Sequence, residues 1–375
     1  MPEALWDITP HTKAKHMILR KYVEAWAPIL SQGGFNGRIA YIDGFAGPGK
    51  YATGEDGSPV VVLNALRNHV AKERFRSEFV NLFVEENKER SQILEDTIKD
   101  RCSPLPKWIK YEVIHGEFNE VLSEIISKLE KEGQKLAPCL CFVDPFGWSD
   151  LVYSVLANFM KYEKAELLIT FMAGYLSRFV WDEAHMNSIE KLFNGEQIAA
   201  IKQAPNSEGA IMKFFLENLK GKMKESGIES EVFHLAFSAC NEYNRLEYYL
   251  IYISKSCKGF EAMKAAMYSA AQDGSYRFSD FEFDPGQTTL VDYFNITTNW
   301  VVRASEEVMN YLLRLSREGK GSIPIKQVKG FITCRTVWKY EKAILEYLEN
   351  NNKIDVKVQN RKGQTYPDRG SISVH

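Results

Sequence analysis

The stretch Arg38 to Tyr51, RIAYIDGFAGPGKY, decides the fold. Its apolar run, Ile39-Ala40-Tyr41-Ile42, predicts a buried strand that ends at the acid Asp43 and passes straight into Gly44, Gly47 and Gly49. Glycine permits positive φ and lets a ligand approach the backbone with no Cβ in the way. A strand ending in such a loop and followed by a helix is the usual ligand edge of an open α/β sheet.

On the N-terminal side, Pro10 to Trp26 reads as a helix, with Thr9 as its cap and Ile18, Leu19, Tyr22, Val23 and Trp26 at helical spacing. On the C-terminal side, strands alternate with helices. A helix from Ser58 to His69, capped by Ser58-Pro59, precedes a strand from Phe79 to Val84 that ends at Glu85 and Glu86. A helical pattern over 88–100 leads to a strand from Tyr111 to Ile114, followed by Glu117 and a helix from Asn119 to Lys131. The next strands run from Cys139 to Val143, ending in Asp144-Pro145-Phe146-Gly147-Trp148, and from Glu166 to Phe171.

After a helical insertion over about 176–225, strands Glu231 to Ala239 and Leu246 to Ser254 are joined by a connection too short for a crossover helix, so they pair as an antiparallel hairpin. Five parallel strands plus a closing hairpin make a Rossmann-like α/β sheet of the class I methyltransferase plan.

The region 301–375 has a separate rhythm: helices Ser305 to Ser316, Ile325 to Phe331 and Arg335 to Asn350, then strands Ile354 to Val358 and Ser371 to Val374 around the basic loop QNRKGQTYPDRG. Three helices and a β-wing predict a winged helix, a variant of the helix-turn-helix reader of nucleic acid. The chain is thus expected to divide into a unit over 1–300 and a second over 301–375. The net charge of −2 conceals an asymmetry, since residues from Arg303 onward carry 14 Lys+Arg against 8 Asp+Glu. An acidic body with a basic tail points to a polyanionic partner. Arg335, Lys339 and Lys342 on the recognition helix and Arg361, Lys362 and Arg369 on the wing are the candidate contacts.

Six scattered cysteines with no C-x-x-C pair indicate neither a zinc knuckle nor a disulfide framework, and no metal site is expected. Cys139 and Cys141 read as core residues. No stretch reaches the roughly 18 uninterrupted apolar residues of a membrane span, and MPEALWDITPH lacks a signal peptide's basic start and apolar centre, so a cytoplasmic location is expected.

Two ligand classes compete for the glycine loop. Gly44, Gly49 and Lys50 satisfy most of a phosphate loop, the mark of an NTPase, but Tyr51 stands where a small hydroxyl must ligate magnesium. S-adenosylmethionine carries a sulfonium, an ammonium, a ribose diol and an adenine. For that ligand Asp43 becomes an acceptor for the ammonium, Glu85 for the ribose hydroxyls and Glu117 for the adenine edge, around the loop residues Gly44, Phe45, Gly47 and Gly49. Asp144, Pro145 and Phe146 would then orient and stack a target amino group beside the methyl donor.

These blocks resemble a known group. Pro10-His11-Thr12-Lys13-Ala14-Lys15-His16, YIDGFAGPGKY, Gly57-Ser58-Pro59, FVDPFGW and Lys258-Gly259-x-x-x-Met263 are similar to the three-Cys-motif partner protein family. The resemblance covers most of residues 5–175 and implies a methyltransferase-like chain that accompanies a partner bearing three cysteines. More distantly, the same blocks resemble large-subunit ribosomal RNA adenine-N6 methyltransferases, which implies a cofactor-pocket role for Lys15 and His16. The expected activity is methylation of a nucleic-acid base amino group. A methyltransferase fold kept as a non-catalytic subunit that guides a three-Cys partner to DNA is the alternative, since Asp-Pro-Phe-Gly departs from a full Asp-Pro-Pro-Tyr.

Overall fold

The computed structural model of the chain describes residues 5–32, 37–271, 277–279, 290–336 and 341–375. Helix α1 (Pro10–Gln32) leads into β1 (Arg38–Asp43), α2 (Ser58–Arg67), β2 (Glu78–Glu85), α3 (Lys88–Cys102), β3 (Ile109–His115) and α4 (Phe118–Lys131). Next come β4 (Cys139–Val143), α5 (Tyr153–Met160), β5 (Ala165–Phe171), and the insertion α6 (Ala173–Phe179), α7 (Met186–Ile189), α8 (Gly195–Gln203) and α9 (Ser207–Glu225). The sheet closes with β6 (Phe233–Cys240) and β7 (Leu246–Ser254), followed by α10 (Cys257–Ala270) and β8 (Arg277–Ser279).

The strand order is β3-β2-β1-β4-β5-β7-β6-β8, with β1 to β5 parallel and β7 antiparallel to both β5 and β6. This is the Rossmann-like sheet of class I methyltransferases, extended by the short β8, which pairs parallel to β6 and which no alternation in the sequence announces. The order reverses between β1 and β4, so the loops leaving their carboxyl ends border one crevice.

The central strands β4 and β5 are buried on both faces, which is why they read as largely apolar runs, whereas the edge strand β3 keeps exposed residues. Ile39 and Tyr41 of β1 join Leu140 and Phe142 of β4 in a core under α1, α2, α3 and α10. Ile42 joins Cys139, Cys141 and Val143 in the opposite core, under α4, α5 and the insertion. Both β4 thiols are core residues, and burial pushes them well above the ordinary cysteine range.

Several boundaries differ from the expectation. Helix α1 continues past Trp26, because Ala27 and Ser31 are also buried and Ser31 Oγ accepts from Arg76 N and Ser77 N. Gly57, not Ser58, caps α2. At the start of α1, Thr9 Oγ1 does accept from Thr12 N, at 3.3 Å.

At the far edge of the sheet, the Glu166 carboxyl accepts from Tyr22 Oη at 2.6 Å and Ser254 Oγ at 3.3 Å, and the hydroxyls of Tyr22 and Tyr252 lie 2.7 Å apart. Burial raises Glu166 to about 7. Gly259 of α10 sits on this cluster, where a Cβ would lie 2.5 Å from Tyr252 Oη and 2.7 Å from Glu166 Oε1. Gly259→Ala is expected to destabilise the chain by about 1–3 kcal/mol through overpacking, read as a lower urea midpoint at constant slope. An unchanged midpoint would show that α10 can shift freely.

Beyond β8 lie α11 (Leu290–Arg317), β9 (Ile323–Pro324), α12 (Ile325–Arg335), α13 (Glu341–Asn350), β10 (Ile354–Lys357) and β11 (Ser371–Val374). The three strands form an antiparallel sheet in the order β10-β11-β9. They share a separate core with the helices, including Val308, Leu312, Ile325, Val328, Ile344, Leu345, Ile354 and Ile372. Arg335 ends α12 instead of opening the third helix, a correction to the expected boundary.

A second correction concerns the cysteines. Cys257, the first residue of α10, is disulfide-bonded to Cys334 on α12, with Cα atoms 5.3 Å apart. Lys264 Nζ adds hydrogen bonds to the carbonyls of Ile332 and Thr333, both at 2.9 Å. A pairing across 77 residues leaves no local spacing to recognise. Among the described residues, no helix is long and apolar enough to cross a membrane, and no group of three or more His, Cys, Asp or Glu is placed to hold a metal ion.

Candidate active site at the carboxyl edge of the sheet

The glycine loop leaves β1 at the switch point. Gly47 and Gly49 have φ of 59° and 74°, the left-handed region that an L side chain rarely adopts. Gly44 is needed for space instead, because a Cβ there would lie 2.4 Å from the Phe118 ring. Phe45 turns onto that ring, with centroids 5.3 Å apart.

The three strand-end acids occupy different environments. Asp43 is fully buried. Phe45 N and Tyr41 Oη donate to its carboxylate, each at 3.3 Å. Burial nevertheless raises its pKa to about 7; the Ser58 hydroxyl pulls it down and the Asp144 charge pushes it up. Glu85, also buried, braces the loop by accepting from Gly47 N and Asn87 N, each at 2.9 Å. Arg90 lies 3.7 Å from it. Glu117 is exposed at the N-cap of α4 and makes no side-chain capping bond.

A cavity of about 200 Å³ opens beside the loop. One wall is Phe45 to Tyr51, another Asp144-Pro145-Phe146, and a third the start of α1 with His11, Thr12, Lys15 and His16. Thr170 of β5 and Met172 just after it close the cavity on one side, and Glu247 and Tyr248 of β7 on another. Asp43, Glu85 and Glu117 do not form its wall. Pro145 is buried while Phe146 is exposed.

Lys15 Nζ donates to both oxygens of Asp144, at 2.7 and 2.6 Å, and lies 5.3 Å from the Tyr248 ring centroid. The helix residue and the strand-end acid, 129 positions apart, therefore form one ion pair. His16 is buried, and burial first, then the neighbouring Lys15 ammonium, lowers it to about 4, so the ring is neutral at pH 7. Its unfolded value near 6.5 means the unfolded chain takes up the proton first, so His16 removes stability as pH falls. Relative to His16→Gln, the chain should lose about 2 kcal/mol between pH 7 and pH 5 in denaturant titrations. Parallel curves for the two proteins would contradict the buried, neutral assignment.

Four groups at this site escaped the sequence reading. Trp6 lies against Tyr51 and Phe146, with centroids 6.2 and 5.2 Å away, and Arg90 lies over Trp6 and Phe146 at 5.6 and 5.7 Å. Together they cap the glycine loop, and the Trp6 carbonyl accepts from Ala52 N. Thr170 Oγ1 is buried on the cavity wall without a hydrogen-bond partner. Glu247 brings the hairpin to the same wall. Tyr51, recognised as a misfit for a phosphate loop, packs 5.7 Å from the His16 ring.

The candidate nucleic-acid residues are scattered in role. Arg361 is committed to Glu349 and stacks over Tyr366. Lys342 pairs with Glu346 along α13 at 3.2 Å. Lys362 and Arg369 are exposed on the wing. Lys339 and the side chain of Arg335 lie outside the described residues.

No protein-family model matches the chain, and no curated protein sequence does. Among solved structures it is similar to Trm1 from Pyrococcus horikoshii in complex with S-adenosyl-L-methionine, at 10% identity and a TM-score of 0.37, over 66% of this chain and 58% of that one. It is also similar to a protein described as a methyltransferase from Porphyromonas gingivalis W83, at 12% identity, TM-score 0.28, 61% of this chain and 40% of that one. A protein described as a caffeoyl-CoA O-methyltransferase from Staphylococcus aureus follows, at 11% identity, TM-score 0.28, 58% of this chain and 76% of that one. The chain thus spans little more than half the length of Trm1.

Proposed function

We propose that this chain is an S-adenosylmethionine-dependent methyltransferase acting on a base amino group of a nucleic acid. The observation that carries the reading is one cavity walled by both the glycine loop and Asp144-Pro145-Phe146. Such a juxtaposition serves transfer between a donor held on the loop and an acceptor held by the acid. S-adenosylmethionine supplies an electrophilic methyl group when bound.

The residues present fit that ligand. Thr170 Oγ1 is an orphaned polar atom on the cavity wall, and Asp43, a buried carboxylate beneath the loop and off that wall, has a raised pKa that an ammonium or sulfonium charge across the loop would relieve. Gly47 and Gly49 let the backbone approach the ligand, and Glu85 holds the Gly47 amide in place. Lys15 fixes the orientation of the Asp144 carboxylate. Asp144 and the Pro145 carbonyl accept the protons of the target amine, which directs its lone pair at the donor, while Phe146 stacks on the base. An NTPase is disfavoured by Tyr51, whose ring packs between Trp6 and His16, and by Asp43 beneath the loop.

The C-terminal helices and three-stranded sheet follow the order helix, strand, helix, helix, strand, wing, strand. We read them as a winged-helix domain that begins with α11, ahead of the expected boundary at residue 301, and contacts nucleic acid through Lys362 and Arg369. A second reading, a non-catalytic subunit guiding a three-Cys partner to DNA, is favoured by one observation: Lys15 engages both oxygens of the acid that the target amine requires. Calorimetry with S-adenosylmethionine, followed by labelled methyl transfer to RNA and DNA with and without that partner, tests both. Absence of cofactor binding sinks the first reading, and binding without transfer under every condition selects the second.

A further inference from the structure

Among the described residues, eight large hydrophobic side chains are exposed, and four of them are aromatic: Phe146, Tyr175, Trp181 and Tyr243, at 68, 43, 66 and 72%. Phe146, Tyr175 and Tyr243 stand at the carboxyl edge of the sheet, and Trp181 follows α6, the helix that leaves that edge. Phe146 follows β4, Tyr175 lies in α6 just after β5, and Tyr243 lies in the turn after β6. The other four, Met17, Ile29, Val70 and Val152, are aliphatic.

Three of these rings carry a cation on their face. Arg178 lies 4.5 Å from the Tyr175 centroid, Lys202 Nζ 5.0 Å from Trp181, and Arg90 5.7 Å from Phe146. Phe146 lines the cavity, and Tyr175 and Tyr243 are tied to it. Glu247, on its wall, accepts from Arg178 at 3.3 Å and from Asn241 Nδ2 at 2.5 Å, and Asn241 Oδ1 in turn accepts from Tyr243 N at 2.9 Å.

We propose that this edge is a binding track for unpaired nucleotides flanking the target base. The proposal rests on the nucleic-acid reading above and names the form of the polymer. Exposed rings offer faces on which successive bases stack, and cations beside them meet the phosphates between those bases. A duplex keeps its base faces within its own stack, so rings of this kind select single strands.

The test is fluorescence polarisation of labelled 12-nucleotide single strands, oligo-U RNA and oligo-dT DNA, against a 12-base-pair duplex, using the full chain without cofactor. Single strands should bind at least tenfold tighter than the duplex, and the RNA and DNA arms report which sugar is preferred. Trp181→Ala and Tyr243→Ala should each weaken single-strand binding by about tenfold and leave the salt dependence unchanged. Lys202→Gln should instead reduce the slope of log K against log salt by about 0.7. Trp181→Phe should retain most of the affinity. Equal binding of duplex, full affinity in both alanine variants, or no binding of any oligonucleotide by the wild-type chain overturns the proposal, the last leaving the rings for a protein surface. Since no cofactor is present, a chain that grips single strands but ignores S-adenosylmethionine would refute the methyltransferase assignment and leave the track standing.

Discussion

Asp43→Asn should weaken S-adenosylmethionine binding by about tenfold, the scale of removing a buried negative charge that lies beneath the glycine loop, off the cavity wall, and acts on the ligand's cation without touching it. The substitution keeps the shape of the side chain and the acceptor for Phe45 N, so the loop should hold. Burial places Asp43 near 7 in the unliganded chain, and a cationic group beside it favours the ionised form. Binding therefore expels a proton at and below neutral pH. The wild-type affinity should fall by up to about tenfold in all as pH drops from 7 to 5 and level off above pH 7, whereas the variant should show no such dependence. Calorimetry at pH 6, 7 and 8, in buffers of different ionisation enthalpy, measures the protons released. An affinity that ignores pH, or an unaffected Asn variant, would show that the Asp43 charge does not act on the ligand.

The same shift has a consequence for stability. A carboxyl raised from 3.8 to about 7 on folding costs stability above the unfolded value, and the cost recedes as pH falls. Between pH 7 and pH 5 that is a gain of about 2 kcal/mol, opposite in sign to the loss from His16. The two nearly cancel in the wild-type chain, so single substitutions should reveal what its own pH profile conceals.

Asp144→Ala should lower the rate of methyl transfer by about 10²–10³-fold while leaving cofactor affinity within a few-fold, because the role proposed for Asp144 is toward the acceptor amine. Asp144→Asn keeps an acceptor oxygen and should lose less, roughly tenfold. Either change strips Lys15 of its carboxylate, and a side chain only 8% exposed will not easily find another partner. A drop in melting temperature should accompany the loss of rate, and the distinction from simple unfolding is an intact S-adenosylmethionine isotherm. Transfer that survives Asp144→Ala would move the chemistry elsewhere in the cavity.

The centre of the sheet was legible because parallel strands buried on both faces, as β4 and β5 are, must be largely apolar. FVNLFV and CLCFV announce themselves, and the hairpin followed from a connection too short to cross over. The acids at the strand ends were legible as positions, but not as partners. Glu85 reads as a ribose acceptor, yet in the fold its two oxygens hold Gly47 N and Asn87 N. Trp6 carried no signal at all, since a lone aromatic in an irregular segment has no periodicity, and only its packing on Tyr51 and Phe146 gives it a place. The wing's Arg361 looked like a free cation because charge can be counted from composition, whereas its pairing with Glu349 depends on how the wing folds back on α13.

What the sequence determined by itself is the sheet: its strand count to within β8, its parallel sense, its closing hairpin, and a glycine loop at the switch point. Periodicity, connection length and glycine are local properties, and they suffice for that. Only the tertiary structure decided which distant groups meet: Lys15 with Asp144, Cys257 with Cys334, and the glycine loop with Asp144-Pro145-Phe146 around one cavity. Those contacts join segments from tens to more than a hundred residues apart, and their distances are set by how helices pack on the sheet. No spacing along the chain encodes them.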